Sequence, residues 1–315
     1  MEEEQSSKKQ KILKWLKIIF LTLVAVFLIR YFRNNIEDIR ALDFKLDWKV
    51  FALSMLFYFV YKITLASLWH YITYLNEGAI KYTDAVVAYL YSILGKYIPG
   101  KVFMLAARIP PYERAGVKIS KVTICFLLEN VCTLLGAAFL FLVSLFFFPN
   151  EVLSDYKFIT VGLVVAFFIC IHPKIINWGL GIVGKLTKKD LNIPMTYPQM
   201  LKVVVLFILN WLIVGTGFYM LVVSLYPVPM NELFYVAGVY GLSAIIGILA
   251  IFTPSGLGVR EGIIALGLAL VMPSEYVVII SIISRLWATV AELILIAAAF
   301  IITKIREAIL KKSAV

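Results

Sequence analysis

The sequence predicts an all-α polytopic membrane protein, and three observations carry that expectation. Of the 315 residues, 62% are hydrophobic and only 16% are charged, against about 45–50% and about 25% in soluble domains. Apolar runs recur at the length of a membrane-crossing helix, about 20 residues. Two of these runs are broken deep among hydrophobic residues, at Gly95–Lys101 and at Pro254–Gly258. Proline lacks an N–H and glycine weakens a helix, so neither run continues unbroken. The mean hydropathy of +0.93 agrees. The longest polar connection, 184–199, is too short for a soluble catalytic domain, so a single transmembrane domain is expected to fill residues 1–315.

In chain order, Lys8, Lys9, Lys11, Lys14 and Lys17 precede an apolar run that Arg30 and Arg33 close. No small-residue cleavage site follows, so 12–33 is expected as a signal anchor and 34–47 as an interfacial segment. A second span is expected at 48–75, with Trp48 and Trp69 as interfacial anchors. The first broken element comprises a run at 85–94, the break at 95–101 and a run at 102–109, which Pro110 and Pro111 end. Spans follow at 119–148 and 155–171, then an amphipathic interfacial stretch at 174–186 and a span at 198–226. The second broken element covers 232–252, the break at 253–258, and 259–272; a last span occupies 275–304.

Charge asymmetry orients these elements. If both broken elements are re-entrant hairpins, about six spanning helices remain and both termini are cytoplasmic; if they span fully, eight spans result and the basic loop at 108–121 moves outside, a poorer fit. With hairpins the inside holds 21 of the 30 Lys and Arg residues and the outside six, as the positive-inside rule requires. The two halves, about 48–148 and about 198–304, become inverted repeats, an architecture of alternating-access transporters with sites near the midplane.

Six charges fall well inside expected membrane elements: Lys62, Glu129, Arg260, Glu261, Arg285 and Glu292. Each costs about 2.5–3.5 kcal/mol at mid-membrane on insertion scales, so they mark either a function or a closed ion-pair network that orients helices. Arg285 and Glu292 are seven apart and share a helix face. Lys101 and Arg260 each sit in the first turn after a break, where a cation opposes the helix dipole. The same place suits an anion, so a phosphate between them would reconcile the two. The break residues Pro99, Gly100, Pro254, Gly256 and Gly258 would hold the tips open. Alternatively, Glu261 or Glu292 neutralises Arg260, and Lys96 and Lys101 reach cytoplasmic headgroups.

The net charge of +11 fits orientation and anionic lipid at the cytoplasmic face, and no stretch carries a nucleic-acid motif. Cys125, Cys132 and Cys170 lie inside apolar runs without metal-ligand spacing and are expected to be small buried residues. No cofactor or metal is expected.

The motifs GKYIPGKV at 95–102 with Arg108, and TPSGLGVREG at 253–262 with Arg285 and Glu292, resemble those of the lysylphosphatidylglycerol synthase transmembrane-region, or flippase-like, family over roughly 15–305. Larger members carry a soluble aminoacyl-transfer domain; this chain ends at Val315, so the resemblance implies only the membrane half. That half implies translocation of an anionic or phosphate-linked lipid, such as a phospholipid or polyprenyl-phosphate-linked glycolipid, across a prokaryotic plasma membrane. Lys96, Lys101, Arg108, Arg260, Glu261, Arg285 and Glu292 are the expected substrate-binding residues. An integral membrane lipid-phosphate transferase is the alternative, against which no metal pair, Walker loop or nucleophile–histidine arrangement occurs; a non-transporting scaffold for envelope lipid synthesis is another. No ATPase or transferase motif is present, so no enzymatic activity is expected.

Overall fold

Asp47 opens the first described helix. Its carboxylate accepts from the backbone N–H of Lys49 at 2.9 Å and of Val50 at 3.2 Å, satisfying two donors that a helix start otherwise leaves unpaired. The helix, α1, runs Trp48–Leu75. The structure is a computed structural model that describes residues 45–97, 102–147, 161–162, 165–166, 169, 171–187, 192–250, 256 and 258–313. The chain divides into two units, Met1–Lys45 and Leu46–Val315, and the fold below is that of the second. The expected anchor at 12–33, the interfacial segment as far as residue 44, most of the span at 155–171, and Cys170 lie outside the described residues.

After α1 come α2 (Tyr82–Ser92), a 3-10 turn (Ile93–Tyr97), α3 (Val102–Arg114) and α4 (Ile119–Ser144). The second half comprises α5 (Pro173–Thr187), α6 (Tyr197–Val223), α7 (Leu233–Leu249), α8 (Val259–Leu268) and α9 (Ser274–Ser313). Among the described residues no strand forms, and five helical segments are long and apolar enough to cross a membrane: Trp48–Leu75, Ile119–Ser144, Tyr197–Val223, Met230–Leu249 and Ser274–Ile309. The protein is therefore a multi-pass helical membrane protein. Met230–Leu249 is the first limb of the second broken element, and its 20 residues reach about 30 Å at 1.5 Å per residue. The buried thiols of Cys125 and Cys132 are free and sit in the core of α4.

Two expectations are corrected. Pro110 and Pro111 do not end their helix; α3 carries both inside and runs on to Arg114. Their missing N–H groups free the carbonyls of Ala106 and Ala107, and both of those residues are exposed, so the loss is tolerated. Trp69 is not an interfacial anchor; it is fully buried, whereas Trp48 is 70% exposed.

Contacts between helix ends order the bundle. At one end, Lys121 at the start of α4 pairs with Glu77 just after α1 at 3.0 Å. Tyr112 near the end of α3 lies 3.4 Å from Thr73 near the end of α1. Arg306 of α9 pairs with Asp84 at the start of α2 at 2.6 Å. At the other end, the Asp47 N–H donates to the Ser224 carbonyl after α6 at 2.9 Å. There the Tyr226 and Tyr276 rings lie 4.8 Å apart, and the Tyr235 hydroxyl of α7 donates to the Gly267 carbonyl of α8 at 2.8 Å. The α2–α3 hairpin thus opens at the first end and the α7–α8 hairpin at the second. Gly95 lets the first hairpin close: a Cβ there would stand 2.4 Å from the Met104 nitrogen, so no other residue fits without moving backbone.

Candidate functional site

Arg108 is the most enclosed charge in the described structure, with no solvent exposure. Its Nε donates to the Ser92 hydroxyl at 2.9 Å, and its Nη1 bonds the Glu129 carboxylate of α4. The guanidinium lies 4.3 Å from the ring centroids of both Trp69 and Tyr89, and 5.2 Å from that of Phe126. A desolvated cation–aromatic contact is worth about 2 kcal/mol, and leaving one charge of a buried pair alone costs about 3–5 kcal/mol. These contacts join α1, α2, α3 and α4 around one side chain. Arg108 and Glu129 hold the first hairpin in place, and neither touches the charges described next.

Glu292 gathers the first hairpin tip. It lies on α9 and is 2% exposed. Its Oε1 accepts from the Tyr58 hydroxyl at 2.9 Å and pairs with the Lys62 ammonium at 2.9 Å. Its Oε2 accepts from the Lys96 ammonium, carried by the turn that ends the inner limb of the first hairpin. One carboxylate therefore serves two lysines from separate elements. Lys62 also lies over the rings of Tyr61 and Tyr58, at 5.1 and 5.5 Å.

Arg260 is positioned by glycines at the second tip. It is the second residue of α8, just after Gly258, whose φ is +76°. A Cβ on Gly247 would stand 2.4 Å from the Arg260 Cγ, and one on Gly256 would stand 3.1 Å from it. The stem of Arg260 thus runs through a slot that only glycines leave open, and its guanidinium lies 5.3 Å from the Tyr240 ring centroid. Among the described residues no carboxylate pairs with it. Its sequence neighbour Glu261 pairs instead with Arg285 of α9 at 3.1 Å.

Lys96 of the first hairpin and Arg260 of the second are linked along α9. Arg285 and Glu292 sit two helical turns apart on one face, about 10 Å along the axis. Between them Trp287 packs edge-on against Tyr58 at 4.6 Å and lies 6.2 Å from Tyr240. Contacts therefore run from Lys96 through Glu292, Tyr58, Trp287 and Tyr240 to Arg260. The cluster holds four cations, Lys62, Lys96, Arg260 and Arg285, and two carboxylates, Glu261 and Glu292. Among the described residues the formal surplus is two positive charges, and all six side chains are buried or half-buried.

Of the residues expected to bind substrate, Lys96, Arg260, Glu261, Arg285 and Glu292 come together, joined by Lys62. Arg108 and Glu129 form their own pair. Lys101, Pro99, Gly100 and Pro254 lie outside the described residues. The site also takes in Tyr58, Tyr61, Trp287 and Tyr240, none of which is among the expected site residues. The signal for the first pair was their spacing: Tyr58 and Tyr61 precede Lys62 by four and one, so Tyr58 and Lys62 share a face.

A family model described as Lysylphosphatidylglycerol synthase TM region matches residues 14–296. The match takes in both hairpins and every residue of the charged cluster. No curated protein matches the chain.

Proposed function

Because the chain belongs to the lysylphosphatidylglycerol synthase transmembrane-region family, a family with a membrane-lipid role, we propose that it translocates an anionic, phosphate-bearing lipid across the plasma membrane. The observation that carries this reading is the surplus of two cations in the cluster that links the two hairpins. A buried surplus is costly, and a phosphate group offsets it. Arg260, which no described carboxylate matches, and the free N–H groups at the start of α8 supply donors suited to phosphate oxygens.

In this reading Glu292 stands in for the substrate when none is bound. The incoming phosphate takes Lys96 from Glu292, while Lys62 and Tyr58 stay and keep the carboxylate paired. Lys96 leaves with the hairpin tip, so binding loosens the first hairpin from α9. Arg260 and the Glu261–Arg285 pair receive the same phosphate from the second hairpin. Six spans with two re-entrant hairpins, arranged as inverted repeats, would let each tip open toward one face. The opposite openings of the α2–α3 and α7–α8 hairpins support that arrangement. Lys118, Lys121 and Arg306 lie at the end where the first hairpin opens, which favours that end, with the C-terminus, as cytoplasmic. The hydrocarbon tails need no dedicated pocket, since they remain in the bilayer.

The test is native mass spectrometry of protein purified in mild detergent. Phosphate-bearing lipid should stay bound. Arg260→Lys should reduce the bound fraction by about tenfold, because lysine cannot replace a bidentate contact. Retention of neutral lipid alone, or equal retention by Arg260→Lys, would remove the reading.

A further inference from the structure

We infer that the cavity at the open end of the α2–α3 hairpin is a second site for a lipid phosphate, where the headgroup is captured before it reaches Glu292. The inference rests on the lipid-phosphate reading above and adds a place of capture to it. The cavity has a volume of about 550 Å3, within the range of small-ligand sites. Ala88, Ala107, Pro110 and Pro111 give it an apolar wall, and Asp84, Arg114 and Arg306 give it charge.

Two arginines face one carboxylate there. Arg306 of α9 pairs with Asp84 at 2.6 Å and also donates to the Thr83 hydroxyl at 3.4 Å. The Nε of Arg114 donates to the Pro110 carbonyl of its own helix at 3.2 Å. Among the described residues no carboxylate takes the charge of Arg114. The excess cation therefore belongs to the cavity lining and is half open to water, the setting in which a guanidinium takes a phosphate. The Asp84–Arg306 pair bridges α2 and α9, so it also fastens the mouth of the hairpin. A phosphate that draws Arg306 from Asp84 binds and unfastens at once.

The cavity is in line with the inner cluster. Arg306, Thr303, Ala299 and Glu292 follow one another on α9 by three, four and seven residues, one face of a helix. Ala299 between them is buried and small, and the Tyr91 hydroxyl of α2 meets Thr303 at 3.3 Å. From Arg306 to Glu292 the axial distance is about 21 Å. Thr303 and Arg306 lie beyond residue 296, where the family match ends, and Asp84 and Arg114 lie within it.

The experiment replaces Ala107 with a photo-crosslinking residue in the full-length protein, held in nanodiscs of phosphatidylglycerol and a neutral glycolipid with the same chains. Mass spectrometry reads the lipid adducts. Phosphatidylglycerol adducts should dominate. Arg114→Ala, which breaks only a bond within α3, should lower them by about tenfold, the effect of deleting one charge-assisted hydrogen bond. Asp84→Asn, which releases Arg306, should raise them. Equal adducts from the two lipids, or no change in Arg114→Ala, overturns the capture site. Displacement of the lipid adduct by millimolar inorganic phosphate overturns its assignment to a lipid. The crosslink requires no transport, so lost flipping with intact adducts would sink the transport reading alone. Flipping without a phosphatidylglycerol preference at position 107 would sink the capture site alone.

Discussion

Lys96 and Glu292 stand 196 residues apart in the chain and form a part-buried ion pair that ties the first hairpin to α9. Lys62 shares the same carboxylate through its other oxygen. The two lysines are equivalent in charge but not in setting, and that difference predicts different losses.

Lys96→Gln leaves Glu292 paired with Lys62 and Tyr58. It should keep thermal stability in detergent close to that of the parent while abolishing lipid flipping. Lys62→Gln removes a lysine packed over two tyrosine rings and should lower stability by about 1–3 kcal/mol as well as activity. Thermal melts followed by tryptophan fluorescence separate the two. Equal destabilisation by both variants would mean that Lys96 is only a structural partner of Glu292.

Arg108 and Glu129 should behave as a structural pair. Arg108→Met alone leaves Glu129 buried without its partner, at a cost of about 3–5 kcal/mol, and the folded fraction on size exclusion should fall sharply. The double variant Arg108→Met with Glu129→Met should recover most of the folded protein, because apolar replacement of both members of a buried pair is tolerated. It should also recover flipping. A double variant that folds and does not transport would return Arg108 to the substrate path.

The expected spans and the described helices correspond closely where apolar length alone decides the element. Trp48–Leu75 coincides with its expected range, and Tyr197–Val223 differs from its own by a few residues. Arg285 and Glu292 were legible as one face because their spacing is local to a helix. Their partners were not. Glu261 was considered a partner for Arg260, its neighbour in sequence, yet it pairs with Arg285, and Glu292 takes two lysines from the first half. Which acid meets which base depends on how distant helices pack, and no spacing within one helix encodes it. The cage around Arg108 is hidden for the same reason: Trp69, Tyr89 and Phe126 come from three helices. The slot for Arg260 left a clearer trace, since Gly256 and Gly258 stood out as breaks; Gly247 lay within an apolar run and carried no such mark.

Gly247→Ala tests that slot. Its Cβ would fall 2.4 Å from the Arg260 Cγ, and a flexible side chain yields before backbone does. Arg260 should leave the Tyr240 ring with little loss of folded protein, and flipping should fall by about tenfold, as expected for loss of one charged contact. Full activity in Gly247→Ala would show that the position of Arg260 is immaterial.

Topology is open to a direct check. In a background lacking Cys125, Cys132 and Cys170, a cysteine at exposed Lys118 should react with impermeant maleimide only from the cytoplasmic side, and one at exposed Met230 only from outside. Labelling of both from the same side would rule out hairpins that enter from opposite faces.

The most direct measurement is lipid flipping in proteoliposomes, comparing fluorescent phosphatidylglycerol with a neutral glycolipid of the same chains, for the parent protein and Arg260→Lys. The parent should flip phosphatidylglycerol and leave the glycolipid at the protein-free rate, and Arg260→Lys should slow phosphatidylglycerol by about tenfold although its charge is kept. Equal flipping of both lipids, or an unchanged rate in Arg260→Lys, would contradict a phosphate read between the hairpin tips.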